Sequence, residues 1–167
     1  MGRFAFDKSG VRKIENMLKH QITAVQKKTV AAAYDYLANF SYKATTGGGH
    51  GTPGGWTWNY VVNWNVSINE LSEKINTFPD RDQVSMEQGV FADFLDPERA
   101  ITVCASLNYG DSVFVTNSVP YGGVLNDGGE YGNHIFIPNR FLEGCLAHVV
   151  GKMDEIIKGV NKECPSL

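Results

Sequence analysis

Apolar and polar positions along the chain alternate in two distinct rhythms. From Asp7 to about Phe40, Val11, Ile14, Leu18, Ile22, Val25, Ala32, Ala33, Tyr36, Leu37 and Phe40 recur near the helical period, with Lys and Gln opposite. This pattern predicts an N-terminal helix within residues 1–42, with Asp7 as its N-cap and a Gly-rich loop at 43–55 as its stop. Such a helix is about 45 Å long at about 1.5 Å per residue, so one end is expected to project or to pack on a neighbour. After the loop the rhythm changes to two. Trp56, Trp58, Tyr60, Val62, Trp64, Val66 and Ile68 alternate with Thr57, Asn59, Val61, Asn63, Asn65 and Ser67, which predicts one long strand whose inner face carries the aromatic residues.

Glu70 to Asp96 has little periodicity and reads as an inserted or connecting loop. Asp96-Pro97-Glu98 has the form of a helix start, and the helix is predicted to reach about Leu107. Tyr109-Gly110-Asp111 then turns the chain into a strand at Ser112 to Asn117, and Val124 to Gly129 fits one helical turn closed by glycine. Ile135 to Pro138 is a short apolar segment. A last helix opens at Pro138 or Asn139 and runs through 139–167, with Phe141, Leu142, Cys145, Leu146, Val149, Val150, Met153, Ile156, Ile157 and Val160 on one broad apolar side. The expected fold is therefore a single α+β domain. The two terminal helices pack on a mostly antiparallel sheet of about four strands within 56–138, and the loops at 43–55 and 70–95 are mobile.

Composition narrows the function without naming it. The chain has 167 residues, 43% of them apolar and 20% charged, enough for one domain with a sizeable core. A net charge of −3 leaves no overall basic excess for neutralising phosphates, although local basic patches are compatible with it. Cys104, Cys145 and Cys164 lack metal-binding spacing and fit reduced thiols in a cytosolic setting. No apolar run approaches the length of a membrane span.

Candidate chemistry is sparse. The glycines from Gly47 to Gly55 lack the lysine and the strand-to-helix setting of a phosphate loop. His20, His50, His134 and His148 form no zinc spacing, and the serine-nucleophile elbow GxSxG does not occur. Asp93 with Asp96, or Asp127 with Glu130, are acidic pairs of the kind that usually cap or meet solvent. No catalytic, cofactor-binding or metal-binding residue is assigned on these grounds, and no cofactor is expected. The rival reading, from another class, is a small hydrolase or carbohydrate-binding module using His50, His134 and the Trp-rich strand.

Two segments resemble the tail-completion, or head-tail joining, proteins of the neck of tailed bacteriophages, of the minor tail protein Z type. The first is Thr52-Pro53-Gly54-Gly55 followed by Asn63-Trp64-Asn65-Val66-Ser67; the second is Val113-Phe114-Val115-Thr116-Asn117-Ser118-Val119-Pro120-Tyr121-Gly122 with Leu125-Asn126-Asp127-Gly128. The closing amphipathic helix matches in architecture. The chain departs from the family pattern at Gly54-Gly55-Trp56-Thr57-Trp58 and at Asn126-Asp127. The resemblance implies a non-enzymatic virion protein, made in the host cytoplasm, that forms a hexameric ring. That ring would complete the tail between the head connector or adaptor proteins and the tail tube or tail terminator proteins, with DNA passing through its lumen without specific binding and with no membrane role. The expected contact residues are Thr52, Pro53, Trp56, Trp58, Asn117, Pro120, Tyr121 and Asp127, with Asn117 closing a turn, Pro120 stiffening it and Tyr121 offering a rigid anchor.

Overall fold

The computed structural model describes residues 8–46, 60–76, 92–132, 134–136 and 138–164. In chain order these form α1 (Lys8–Thr46), β1 (Trp64–Ile68), α2 (Ala92–Leu95) and α3 (Glu98–Val103), which continues into a 3-10 turn at Cys104–Ser106. Next come β2 (Val113–Asn117), α4 (Gly122–Asp127), β3 (Gly129–Tyr131), β4 (His134–Phe136) and α5 (Phe141–Glu163). The fold is α+β, with a long helix at each end as the periodicity predicts.

Four expectations are corrected. The first helix runs on to Thr46, past the predicted boundary at 42. Of the strand expected over 56–68, residues 56–59 lie outside the described residues, and in the rest only Trp64–Ile68 is strand, because residues 60–62 are helical. In place of one sheet of four strands, the described residues hold two separate antiparallel pairs, β1 with β2 and β3 with β4. The last helix begins at Phe141, not at Pro138 or Asn139.

The strand alternation fails for a reason visible in the packing. Tyr60, Val61, Val62, Asn63, Trp64 and Asn65 are all buried, so both registers face protein. Period-two polarity therefore marks no solvent face in this stretch. The buried amides instead hold the segment 70–76 beside the strand. Asn63 Oδ1 accepts the Asn76 N–H, and Asn63 Nδ2 donates to the Asn76 carbonyl at 3.1 Å. Asn65 Nδ2 donates to the carbonyls of Asn63 and Lys74 at 2.8 and 3.0 Å. Each buried amide group thus meets a partner, as burial of polar atoms requires.

β1 pairs with β2 from Trp64 opposite Asn117 to Ile68 opposite Val113. Asn69 ends this ladder with φ 64, a left-handed conformation that asparagine tolerates better than most side chains. Its Oδ1 accepts the Ser112 N–H and its Nδ2 donates to Asp111 Oδ1. Asp111 also accepts the Asn108 N–H. These donors, Asn69 first, hold the Asp111 carboxyl below the usual aspartate range.

The core lies where α1, β1 and α5 meet. Trp64 is 2% exposed, and its indole N–H donates to Ser41 Oγ on α1 at 2.9 Å. Tyr60 stands edge-on to Trp64 and tilts against Phe141 at the start of α5, with ring centroids 5.5 and 5.2 Å apart. Phe40 meets Phe141 edge-on, and Tyr36 stacks on Phe40 and leans on His148. The pairing of α1 with α5 is the most extensive between elements of the fold. It is antiparallel: Tyr36 lies by His148 near the beginning of α5, whereas Gln21 donates to the Cys164 carbonyl and Lys28 pairs with Glu163 at its end.

Gly144 makes that approach possible. A Cβ there would overlap the Tyr36 hydroxyl, and Tyr36 is confined between Phe40 and His148. Gly144→Ala is expected to destabilise the fold by about 1–3 kcal/mol through overpacking. Urea unfolding checks this, and adding Tyr36→Phe should recover part of the loss.

Candidate interaction surface

Of the residues expected to make contacts, Thr52, Pro53, Trp56 and Trp58 lie outside the described residues. The other four fall at the turn between β2 and α4 and at the end of α4. Asn117 closes the turn from within: its Nδ2 donates to the Tyr60 carbonyl at 2.7 Å, and its Oδ1 faces the Val119 N–H at 3.4 Å. Pro120 and Asp127 are exposed. Tyr121 corrects the expectation of an outward anchor, since it is 8% exposed and sits edge-on to Tyr131 inside the core cluster. Its large buried ring fastens the turn to the body.

Asn126 has a role that spacing along the chain does not reveal. Arg140 precedes α5 with φ 52 and supplies no side-chain cap. The cap comes from α4, where the buried Asn126 accepts the Leu142 N–H on Oδ1 at 3.1 Å. Its carbonyl accepts the Arg140 N–H at 3.0 Å, and the neighbouring Leu125 carbonyl accepts from both the backbone and the side chain of Asn139. Gly128, at φ 80, ends α4 so that this carbonyl edge faces α5. The motif residues from Asn117 to Gly128 therefore act together as a bracket between β2 and the start of α5.

Of the residues of the rival chemistry, Trp56 and Trp58 lie outside the described residues and His134 opens β4. His50 lies outside the described residues, His20 is exposed, and His148 is packed on Tyr36 with its Nε2 buried and unpartnered. Trp64 is core. Asp96 Oδ1 accepts the Glu98 N–H at the start of α3, a capping role, while Asp127 and Glu130 face solvent. Among the described residues no group of three or more His, Cys, Asp or Glu side chains is placed to hold a metal, and no helix is long and apolar enough to cross a membrane.

What the structure leaves open to contact lies elsewhere. On α5, Phe141, Cys145, Ile156 and Val160 are buried, but Leu142, Leu146, Val150 and Ile157 point outward, Leu146 at 67% exposure. Their spacing of four, four and seven places them in one row on one face of the helix. On α1, Val11, Ile14, Leu18 and Ile22 form a second row, each exposed by about half its surface. The helical pattern identified both sets as apolar faces. It could not say that the body covers only one side of α5 and only the later half of α1. Two aligned rows of large aliphatic side chains differ from the scattered surface apolar residues of most proteins, and mark a site of contact.

The chain matches no protein-family model, no curated protein and no solved structure.

Two outcomes test the bracket. Asn126→Ala, which strips the cap from α5, is expected to cost about 1–2 kcal/mol in urea unfolding. Burial lifts the phenols of Tyr60 and Tyr121 above the ordinary tyrosine range, with Tyr121 adding to the effect at Tyr60 and Tyr131 at Tyr121. Above about pH 10 the unfolded chain loses these protons while the folded one keeps them, so stability is complete below that pH and falls as pH rises beyond it. Tyr60→Phe and Tyr121→Phe should each flatten that alkaline decline in thermal unfolding.

Proposed function

We propose that this protein is a non-enzymatic assembly subunit of the neck of a tailed bacteriophage, acting as one copy in a ring that completes the tail and joins it to the head connector. The observation that carries the reading is the pair of exposed apolar rows on α1 and α5, a surface suited to protein partners. The resemblance of Val113 to Gly128 supports it in a second way. Those residues hold the start of α5, and with it the helix that displays one of the two rows. The proposed partners are further copies of the chain, connector or adaptor proteins on the head side and tube or terminator proteins on the tail side. A closed ring of identical subunits leaves a lumen, and a net charge of −3 favours passage of DNA over its retention there.

Electron cryomicroscopy of the purified protein, alone and mixed with tail tubes, is the direct test. Rings seated at the head-proximal end of the tubes are the expected result. Tubes left bare at every protein concentration would sink the neck assignment.

A further inference from the structure

We infer that neighbouring copies join head to tail, the amino-terminal half of α1 from one copy seating its apolar row on the outer row of α5 in the next. The inference rests on the assembly reading and specifies the surface through which copies meet.

Within one chain, α1 already shows how its face receives α5. The face that carries Val11, Ile14, Leu18 and Ile22 continues along α1 to Ala33 and Tyr36, which touch Cys145 and His148 of α5. Described α5 ends beside Gln21, and the same face of α1 goes on, uncovered by any described residue, through Leu18, Ile14 and Val11. A surface of α5 type thus fits this face, and each copy offers a spare one. The lengths agree: the α1 row spans about 16 Å and the α5 row about 22 Å at about 1.5 Å per residue.

Charge selects the orientation. Between Lys8 and Ile22, α1 carries Lys8, Arg12, Lys13 and Lys19 against Glu15 alone, a net of +3; with −3 for the whole chain, all other residues together carry −6. Two such arms laid on each other would repel. The outer border of the α5 row is acidic by one charge: Glu143 lies one turn from Leu146 and Asp154 one turn from both Val150 and Ile157, against Lys158 one turn beyond Asp154. Among the described residues the ion pairs are Lys19 with Glu15 and Lys28 with Glu163, which leaves Lys8, Arg12, Lys13, Glu143 and Asp154 without a partner of opposite charge. A basic arm meeting an acidic border is complementary, and because the two patches differ, the contact repeats from copy to copy until the ring closes.

Paired cysteines test this in the full chain, with Cys164→Ser removing the partly exposed thiol and Cys104 and Cys145 remaining buried. Leu18→Cys and Leu146→Cys are made in separate preparations, then mixed and oxidised. A disulfide-linked dimer in the mixture and in neither preparation alone is expected. Linkage within Leu18→Cys alone would mean that arm meets arm and would overturn the inference. Native mass spectrometry supplies the second measurement. Lys8→Glu with Arg12→Glu should weaken association on the order of tenfold, and adding Glu143→Lys with Asp154→Lys should restore it. All of these side chains are exposed, so unchanged thermal unfolding confirms that the fold is intact. Rings that survive Leu18→Asp and Leu146→Asp would refute this contact while leaving the neck assignment standing, and a chain that stays monomeric throughout would refute the contact as well. Decoration of tail tubes decides the neck assignment separately.

Discussion

A buried indole N–H must find an acceptor, and this one requirement organises the fold. Trp64 gives its proton to Ser41, whose hydroxyl in turn donates to the Leu37 carbonyl one turn back along α1. An unmatched indole in that setting would cost about 1–3 kcal/mol, so β1 can dock on α1 in one register and not in its neighbours. The aromatic contacts follow from that register. Tyr60 is held against Trp64, Phe141 against Tyr60, and Phe40 against Phe141, which brings the start of α5 onto α1 near residue 40. From there α5 runs back antiparallel along α1 to Gln21.

With that junction fixed, the division of α1 into two halves becomes a matter of supply. Among the described residues, the body buries Val30, Tyr34, Leu37 and Ala38 and leaves the apolar row nearer the amino terminus about half exposed. It leaves one side of α5 exposed as well. Two exposed apolar faces on the two longest described elements are the surface that the proposed association would remove from water, which is why they bear the functional reading.

Much of this was legible in the chain itself because helical periodicity is a local signal. The presence of α1 and α5, the start of α3 after Asp96-Pro97, the strand before Asn117 and the glycine closing α4 all follow from neighbours within a turn or two. What escaped the sequence depends on distant partners. Asn63 and Asn65 looked like the solvent side of a strand, yet each is buried against residues 70–76. Asn126 caps a helix that starts well after it, and nothing near Arg140 announces the debt. The two rows at the candidate surface were visible as apolar positions, but their exposure depends on where the body stops, which is a property of the whole fold. Tyr121 was misread for the same reason: an aromatic residue in a turn has no local mark that separates an anchor offered outward from one driven inward.

One element ties the core to the surface without interruption. α1 is a single helix from Lys8 to Thr46, with no proline in it and its one glycine, Gly10, near the start. The projecting end and the Ser41 acceptor therefore belong to one stiff rod, with no kink or hinge residue between them. In mechanical terms this is a lever whose fulcrum is the end of α5 beside Gln21: a sideways load at Leu18 is carried along the α1–α5 packing toward the tryptophan socket. In the ring proposed above, tension between copies would then be borne by interior packing in each one, and the seat of one copy and the interior of the next would yield together.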